Sequence, residues 1–282
     1  MGSAVENSKI MMKLHVFKNK EEMGRSAAAA GAAAYRQHTE ATNGYGAITV
    51  ATGASQFETL DHLTRENLPW PRITGYHLDE YVGIDIEHRA SFRNYLWTRF
   101  VSKLPLPLRQ FHYIGSESDP SLPAAMRHFD RESLEVGPED ECQYLGEGLD
   151  SHEVSVSFIG IGENAHLGFN DPPADFENRK PFIVVELDEA CRKQQVGEGW
   201  FDSFGEVPLQ AITMTASQIL KSKTIICTVP DERKAAALRD SLEGEIDPGT
   251  PASILQSHPD CHFFVDEAAA SLLSEKFKTS VA

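Results

Sequence analysis

The sequence contains no run of about eighteen apolar residues, the length a helix needs to cross a bilayer, so no membrane span is expected. Its small-residue stretch, Ala27 to Ala34, is too short and too weakly apolar to serve as one. The opening MGSAVENSK lacks an apolar signal-peptide core, and residues 1–10 read as a flexible lead-in. Basic charge is scarce. Lys and Arg number 26 against 42 Asp and Glu, a net charge of −16, which argues against a nucleic-acid or anionic-membrane surface. Cysteine is scarce too: Cys142, Cys191, Cys227 and Cys261 form no C-x-x-C pair. That usage fits reduced thiols in a cytoplasmic protein, and it supports neither a disulfide framework nor a zinc site. No Pro/Gly-rich linker and no internal repeat divides the chain, so residues 11–282 are expected to form one domain.

Enough is present to build a large core. A chain of 282 residues with 41% hydrophobic content buries roughly three-quarters of its unfolded surface on folding. Short apolar runs alternate with longer amphipathic segments. Strands are expected at Lys13–Phe17, Ala47–Ala51, Ile73–Leu78, Val154–Ile159, Ile183–Leu187, Thr224–Val229 and His262–Val265. Helices are expected at Glu21–His38, from about Ser55 to Asn67, and at Ser91–Lys103, Met214–Leu220, Asp231–Leu242 and Glu267–Phe277. This alternation predicts an α/β fold, a single Rossmann-like domain with a mostly parallel sheet and helices on both faces. Gly115 to Asp150, with Pro120, Pro123 and Pro138, is irregular and reads either as a helix flanked by loops or as a mobile excursion.

Ligands of such sheets sit beyond the carboxyl ends of the strands, and four segments fall there. Thr52-Gly53-Ala54-Ser55 offers backbone N–H groups and hydroxyls at a helix start, an anion cradle or simply a Ser55 cap. Asp79-Glu80 puts two adjacent carboxylates after an apolar strand, which is costly unless they are solvated, paired or functional. Gly160-Ile161-Gly162-Glu163-Asn164-Ala165-His166, with Asp171 beyond, gathers a carboxylate, an amide and an imidazole in a glycine-rich turn. The third glycine of a dinucleotide fingerprint is missing, as is an H-E-x-x-H zinc pattern. In Val229 to Lys234, a lysine in a helix's first turn opposes the helix dipole, and a bound phosphate would reverse that sign. A solvated surface lysine is the plainer reading.

These segments resemble those of the glucosamine-6-phosphate deaminase (isomerase) family, within the wider glucosamine-6-phosphate isomerase/6-phosphogluconolactonase superfamily. The likeness runs from about Leu14 to Phe277 through LDEYVG, GIGENAHLGFNDPP, PLQAITMT, the Lys234 helix ending in Glu243-Gly244, and PASILQSHP before VDEA. It implies a Rossmann-like fold and conversion of glucosamine 6-phosphate to fructose 6-phosphate and ammonia, with no metal or nucleotide cofactor. It also implies roles: Asp79 as general base, His166 as the ring-opening group, and Asn164 and Asp171 as its orienting partners. Thr52, Gly53, Ser55 and Lys234 would bind the substrate phosphate, as would Arg192, which lies near a phosphate-contacting arginine of the family.

The sequence departs from the family pattern in three places. Asp171 stands where the family has Glu, Asn164 can orient but cannot act as a base, and ATGASQ is less glycine-rich than the usual phosphate loop. The serines that serve allosteric activation in some members are absent from ADFENRK after Pro173, so no such activation is expected. The partner implied is a small-molecule sugar phosphate, with no nucleic acid and no membrane. The family includes monomers and larger assemblies, so a homo-oligomer stays open. A 6-phosphogluconolactonase-type hydrolase and a non-catalytic sugar-phosphate sensor are the alternatives, although no basic helix-turn-helix pattern accompanies the latter.

Overall fold

The computed structural model describes residues 12–115, 137–150, 152–197 and 199–277. The expected lead-in at residues 1–10 and most of the irregular stretch after Gly115 lie outside them.

Among the described residues ten strands run in chain order: β1 (Lys13–Phe17), β2 (Gly46–Val50), β3 (Ile73–His77), β4 (Asp79–Tyr81), β5 (Gln110–His112), β6 (Val154–Gly160), β7 (Phe182–Glu186), β8 (Gln210–Met214), β9 (Thr224–Val229) and β10 (Cys261–Asp266). Seven of them form one sheet in the order β1-β10-β9-β6-β2-β3-β5, and every pairing in it is parallel. The chain moves outward from β2 through β3 to β5. After β6 it moves outward the other way, through β9 to β10. The strand order therefore reverses between β2 and β6, where a crevice opens at the strands' carboxyl ends.

Side chains alternate between two cores, as the period of a strand requires. On β9, Ile225 and Cys227 join one core while Ile226 joins the other. Helices α1 (Lys20–His38), α2 (Phe57–Leu63) and α3 (Phe92–Arg99) contribute Met23, Leu60 and Leu96 to the second core. Helices α4 (Pro138–Asp150), α6 (Ala216–Ile219) and α7 (Ala235–Glu243) contribute Leu145, Ile219 and Leu238 to the first. Both faces are covered, as expected, and no described helix is long and apolar enough to cross a membrane.

The alanine-rich segment of this layer is closely packed. Ala27, Ala28 and Ala32 of α1 are fully buried, and a Cβ on Gly31 would lie 2.3 Å from the Phe158 ring. Gly31→Ala would gain about 1 kcal/mol in helix propensity but collide with a buried ring, and overpacking costs about 1–3 kcal/mol. Thermal denaturation of Gly31→Ala is therefore expected to show a Tm below wild type. A Tm at or above it would mean that Phe158 moves freely.

The second sheet differs from the sequence expectation. Strands β4, β8 and β7 form an antiparallel three-stranded sheet. Ile183–Leu187, read as part of the parallel sheet, belongs here as β7. Gln210–Met214 is a strand, and helix α6 begins only after Thr215, whose side chain accepts the Gln218 N–H. On this small sheet a third cluster forms, in which Tyr81 packs against Phe92, Phe169 and Phe201 at ring-centroid distances of 5.1–5.4 Å. Helix α5 (Glu189–Gly197) closes this side with Cys191.

Candidate active site

At the β2/β6 reversal lies a cleft of about 240 Å³. The chain passes from one sheet to the other at its wall. Leu78 N–H bonds Val50 O of the large sheet (3.2 Å), while Leu78 O accepts Met214 N–H of the small one (2.8 Å). Asp79 is the next residue and is fixed from both sides. Its side chain lines the cleft yet is only 6% exposed. Burial pushes its carboxyl up to about 8, the neighbouring Glu80 charge adds to the rise, and no hydrogen bond from a described residue offsets either.

Glu80 points the opposite way, as alternation along β4 dictates. It accepts the N–H groups of Tyr81 (3.0 Å), Phe92 (3.2 Å) and Arg93 (2.8 Å), the last two at the start of α3. The Arg93 guanidinium stands 3.7 Å away and is anchored on Gly115 O and Ile84 O. Burial raises the Glu80 carboxyl to about 7, against the pull of Arg93 and of these N–H groups. The donors all serve Glu80, so of the two carboxyls Glu80 keeps the charge and Asp79 takes the first proton.

Facing Asp79 is the turn after β6. Asn164 Nδ2 donates to Asp171 Oδ1 at 3.1 Å, which leaves the Asn164 oxygen as acceptor. That oxygen receives the His166 backbone N–H at 3.1 Å and meets Nδ1 at 2.6 Å. A neutral imidazole so held carries its proton on Nδ1 and keeps Nε2 as its basic nitrogen. The Asp171 carboxylate lies 3.5 Å from Nδ1, positioned to stabilise an imidazolium. The shorter Asp171 therefore still reaches its partner. Gly162 is required by contact, because a Cβ there would sit 2.1–2.3 Å from three atoms of the imidazole.

The loop expected to act as an anion cradle follows β2. Thr52, Gly53 and Ser55 all line the cleft. Gly53 adopts φ 94°, a left-handed conformation that glycine tolerates. Tyr95 OH donates to Gly53 O (2.8 Å), and the fully buried Gln56 donates to Ile159 O and Thr228 Oγ1 (2.8 Å each). These bonds tie the loop to α3, β6 and β9. Lys234 reaches the cleft from beyond β9 and donates to Ile161 O at 2.6 Å.

One expected residue lies elsewhere. Arg192 is absent from the cleft lining. Its guanidinium donates to Phe204 O (2.8 Å) and Val207 O (3.0 Å) and stacks 4.1 Å from the Phe204 ring. It braces α5 against the loop before β8. From the same helix, Gln195 does line the cleft. Tyr81 OH donates to its Oε1 at 2.6 Å, which directs its amide donors elsewhere. Gln195, Trp200, Phe92 and Arg233 are lining residues that the sequence reading did not single out. Arg233 alone carried a signal there, as the neighbour of Lys234.

Known proteins share this arrangement of elements. Residues 18–263 match the family model described as glucosamine-6-phosphate isomerases/6-phosphogluconolactonase. The glucosamine-6-phosphate deaminase of Oenococcus oeni is 30% identical over 265 residues, covering 94% of this chain and all of that protein. That of Shouchella clausii is 32% identical, covering 93% and 98%. Among solved structures, a monomeric glucosamine-6-phosphate deaminase superposes with a TM-score of 0.73 at 31% identity, covering 93% of this chain and all of that one. A putative 6-phosphogluconolactonase from Neisseria gonorrhoeae shares the fold at TM-score 0.67 and 18% identity, covering 91% and 100%. By sequence identity, coverage and fold, the chain belongs to the glucosamine-6-phosphate deaminase family of the glucosamine-6-phosphate isomerase/6-phosphogluconolactonase superfamily.

Proposed function

We propose that this enzyme converts glucosamine 6-phosphate and water to fructose 6-phosphate and ammonia. The observation that carries this reading is a buried, high-pKa carboxyl, Asp79, sharing one cleft with an oriented imidazole, His166. Opening a lactone needs an activated water but no base for a carbon-bound proton, so the Asp79 wall favours isomerisation with deamination over the hydrolase alternative.

The phosphate is held by the Thr52–Ser55 loop and by Lys234, and its binding energy positions the sugar for reaction. His166, through Nε2, accepts the O1 proton and returns a proton to the ring oxygen, which opens the ring. Asn164 keeps the imidazole in the required tautomer, and Asp171 stabilises it while charged. Asp79 in its ionised form then removes the C2 proton to give an enolamine. Return of a proton to C1 gives the imine at C2, and addition of water there expels ammonia and leaves the ketose.

A burial-raised carboxyl suits this role. A stronger base abstracts a weakly acidic carbon-bound proton better, and general catalysts work best with a pKa near the working pH. The test is an assay of ammonia and ketose release from glucosamine 6-phosphate, run beside hydrolysis of 6-phosphogluconolactone. Ammonia and fructose 6-phosphate in equal amounts are expected. Lactone hydrolysis without ammonia release would overturn the reading.

A further inference from the structure

The cleft pairs its anion cradle with two adjacent cations, and Lys234 accounts for only one of them. Arg233 also lines the cleft. Its guanidinium reaches across from the β9–α7 turn to Glu163 of the turn after β6, with Nη1 3.5 Å from Glu163 Oε1. Nη2 lies 3.5 Å from Asp231 Oδ2. The Asp231 carboxylate is shared with Lys20 at 3.4 Å and caps the Arg233 backbone N–H at 3.2 Å, which shapes the turn that presents the guanidinium. The Arg233 side chain is 62% exposed and that of Glu163 38%. Ion pairs this long and this exposed contribute little to stability, so Glu163 does not hold Arg233 firmly.

We propose that Arg233 is a second phosphate-binding cation of the cleft, parked on Glu163 at its mouth until a sugar phosphate takes the carboxylate's place. The inference rests on the sugar-phosphate reading of the site and names the residue that supplies its missing charge. A phosphate ester carries close to two negative charges at neutral pH and three strong acceptor oxygens. Lys234 alone would leave about one of those charges uncompensated, beside Asp79 and Glu163 and in a protein of net charge −16. An arginine fork binds two phosphate oxygens with short, charge-assisted bonds, which outcompete a contact of 3.5 Å. Arg192, the arginine that the family resemblance implies for this role, lies outside the cleft.

The test is calorimetric titration of the full chain with inorganic phosphate at fixed ionic strength, which needs no turnover. Arg233→Ala is expected to weaken phosphate binding about 10- to 100-fold, the range for losing a hydrogen-bonded charge contact. Arg233→Lys keeps the charge but loses the fork, and its affinity is expected to fall between the two. Glu163→Gln releases the guanidinium and is expected to bind phosphate at least as tightly as wild type. Arg239→Ala removes an exposed arginine of α7 that pairs with Asp240 at 2.7 Å, outside the cleft lining, and controls for net charge.

With glucosamine 6-phosphate, Arg233→Ala is expected to raise KM by a similar factor while kcat stays within a few-fold. Arg233→Ala within twofold of wild type in phosphate affinity, or Arg239→Ala losing as much, overturns the proposal. So does weaker binding by Glu163→Gln, or a wild type that binds no phosphate at millimolar concentration. Ammonia release by the wild type is scored separately. Its absence would remove the deaminase reading while leaving the phosphate contact standing.

Discussion

Asp79→Asn is expected to lower kcat for ammonia release by about 10²- to 10⁴-fold, the contribution of a positioned general base, while phosphate affinity changes little. Asparagine has nearly the same shape and cannot accept the C2 proton. The cradle at Thr52–Ser55 and Lys234 lies on other strand ends and is not touched by the change. The same substitution is expected to stabilise the fold. Asp79 titrates near 8 in the folded chain because burial and the Glu80 charge disfavour its ionised form, against about 4 in an unfolded one. A carboxyl whose folded pKa is raised contributes stability that is fully present below about pH 4 and is lost as pH climbs through about 8.

Asparagine lacks that pH dependence. The Tm of Asp79→Asn should therefore exceed that of wild type by a margin that widens from pH 5 to pH 9. Scanning calorimetry across that range checks it. Equal Tm values at pH 9 would mean that Asp79 is not the strained group the cleft geometry describes. The wild-type rate should follow the same titration in the opposite sense, rising as pH climbs through about 8 and Asp79 ionises. Activity and stability thus draw on opposite protonation states of one residue.

Gly162→Ala is expected to fold normally and to lose about 10²-fold in kcat, the effect of a misplacement of roughly 1 Å. An added Cβ would meet three atoms of the His166 imidazole first, at 2.1–2.3 Å. The imidazole side chain is 23% exposed and can swing aside at small cost to the fold. In swinging it leaves the Asn164 oxygen, now 2.6 Å from Nδ1, and with it the tautomer that presents Nε2 to the substrate. Unchanged Tm with reduced kcat is the expected signature, and His166→Gln should show a comparable or larger loss. Wild-type kcat in Gly162→Ala would mean that ring opening does not depend on this imidazole's position.

Much of this site was legible in the sequence because its parts lie in contiguous turns. GIGENAHLGFNDPP carries its own geometry: Gly162 makes room for His166, Asn164 is two residues from the ring it orients, and the chain folds back to bring Asp171 to Asn164. Strands β1 and β9 fell on the expected residues because each is a short apolar run within a regular alternation.

What escaped was long-range. The antiparallel sheet of β4, β8 and β7 joins segments about 130 residues apart, the separation of Asp79 from its partner Thr213. Its strand β8, QAITM, has no period that separates strand from helix. The pocket role of Gln195 depends on how α5 docks beside Tyr81, and no local pattern encodes that. Arg192 lies outside the cleft for the same reason. It lies three residues from Gln195 on the same helix, yet its guanidinium is taken by Phe204 O and Val207 O.

Removal of the C2 proton by Asp79 is the central step of the proposed reaction. The most direct measurement follows the loss of deuterium from C2 of 2-deuterated glucosamine 6-phosphate by NMR, in wild type and in Asp79→Asn, with phosphate binding checked in both. Label loss by the wild type is expected with a primary isotope effect, and loss at least 10²-fold slower in Asp79→Asn at unchanged phosphate affinity. Label loss by Asp79→Asn within tenfold of the wild-type rate would contradict it.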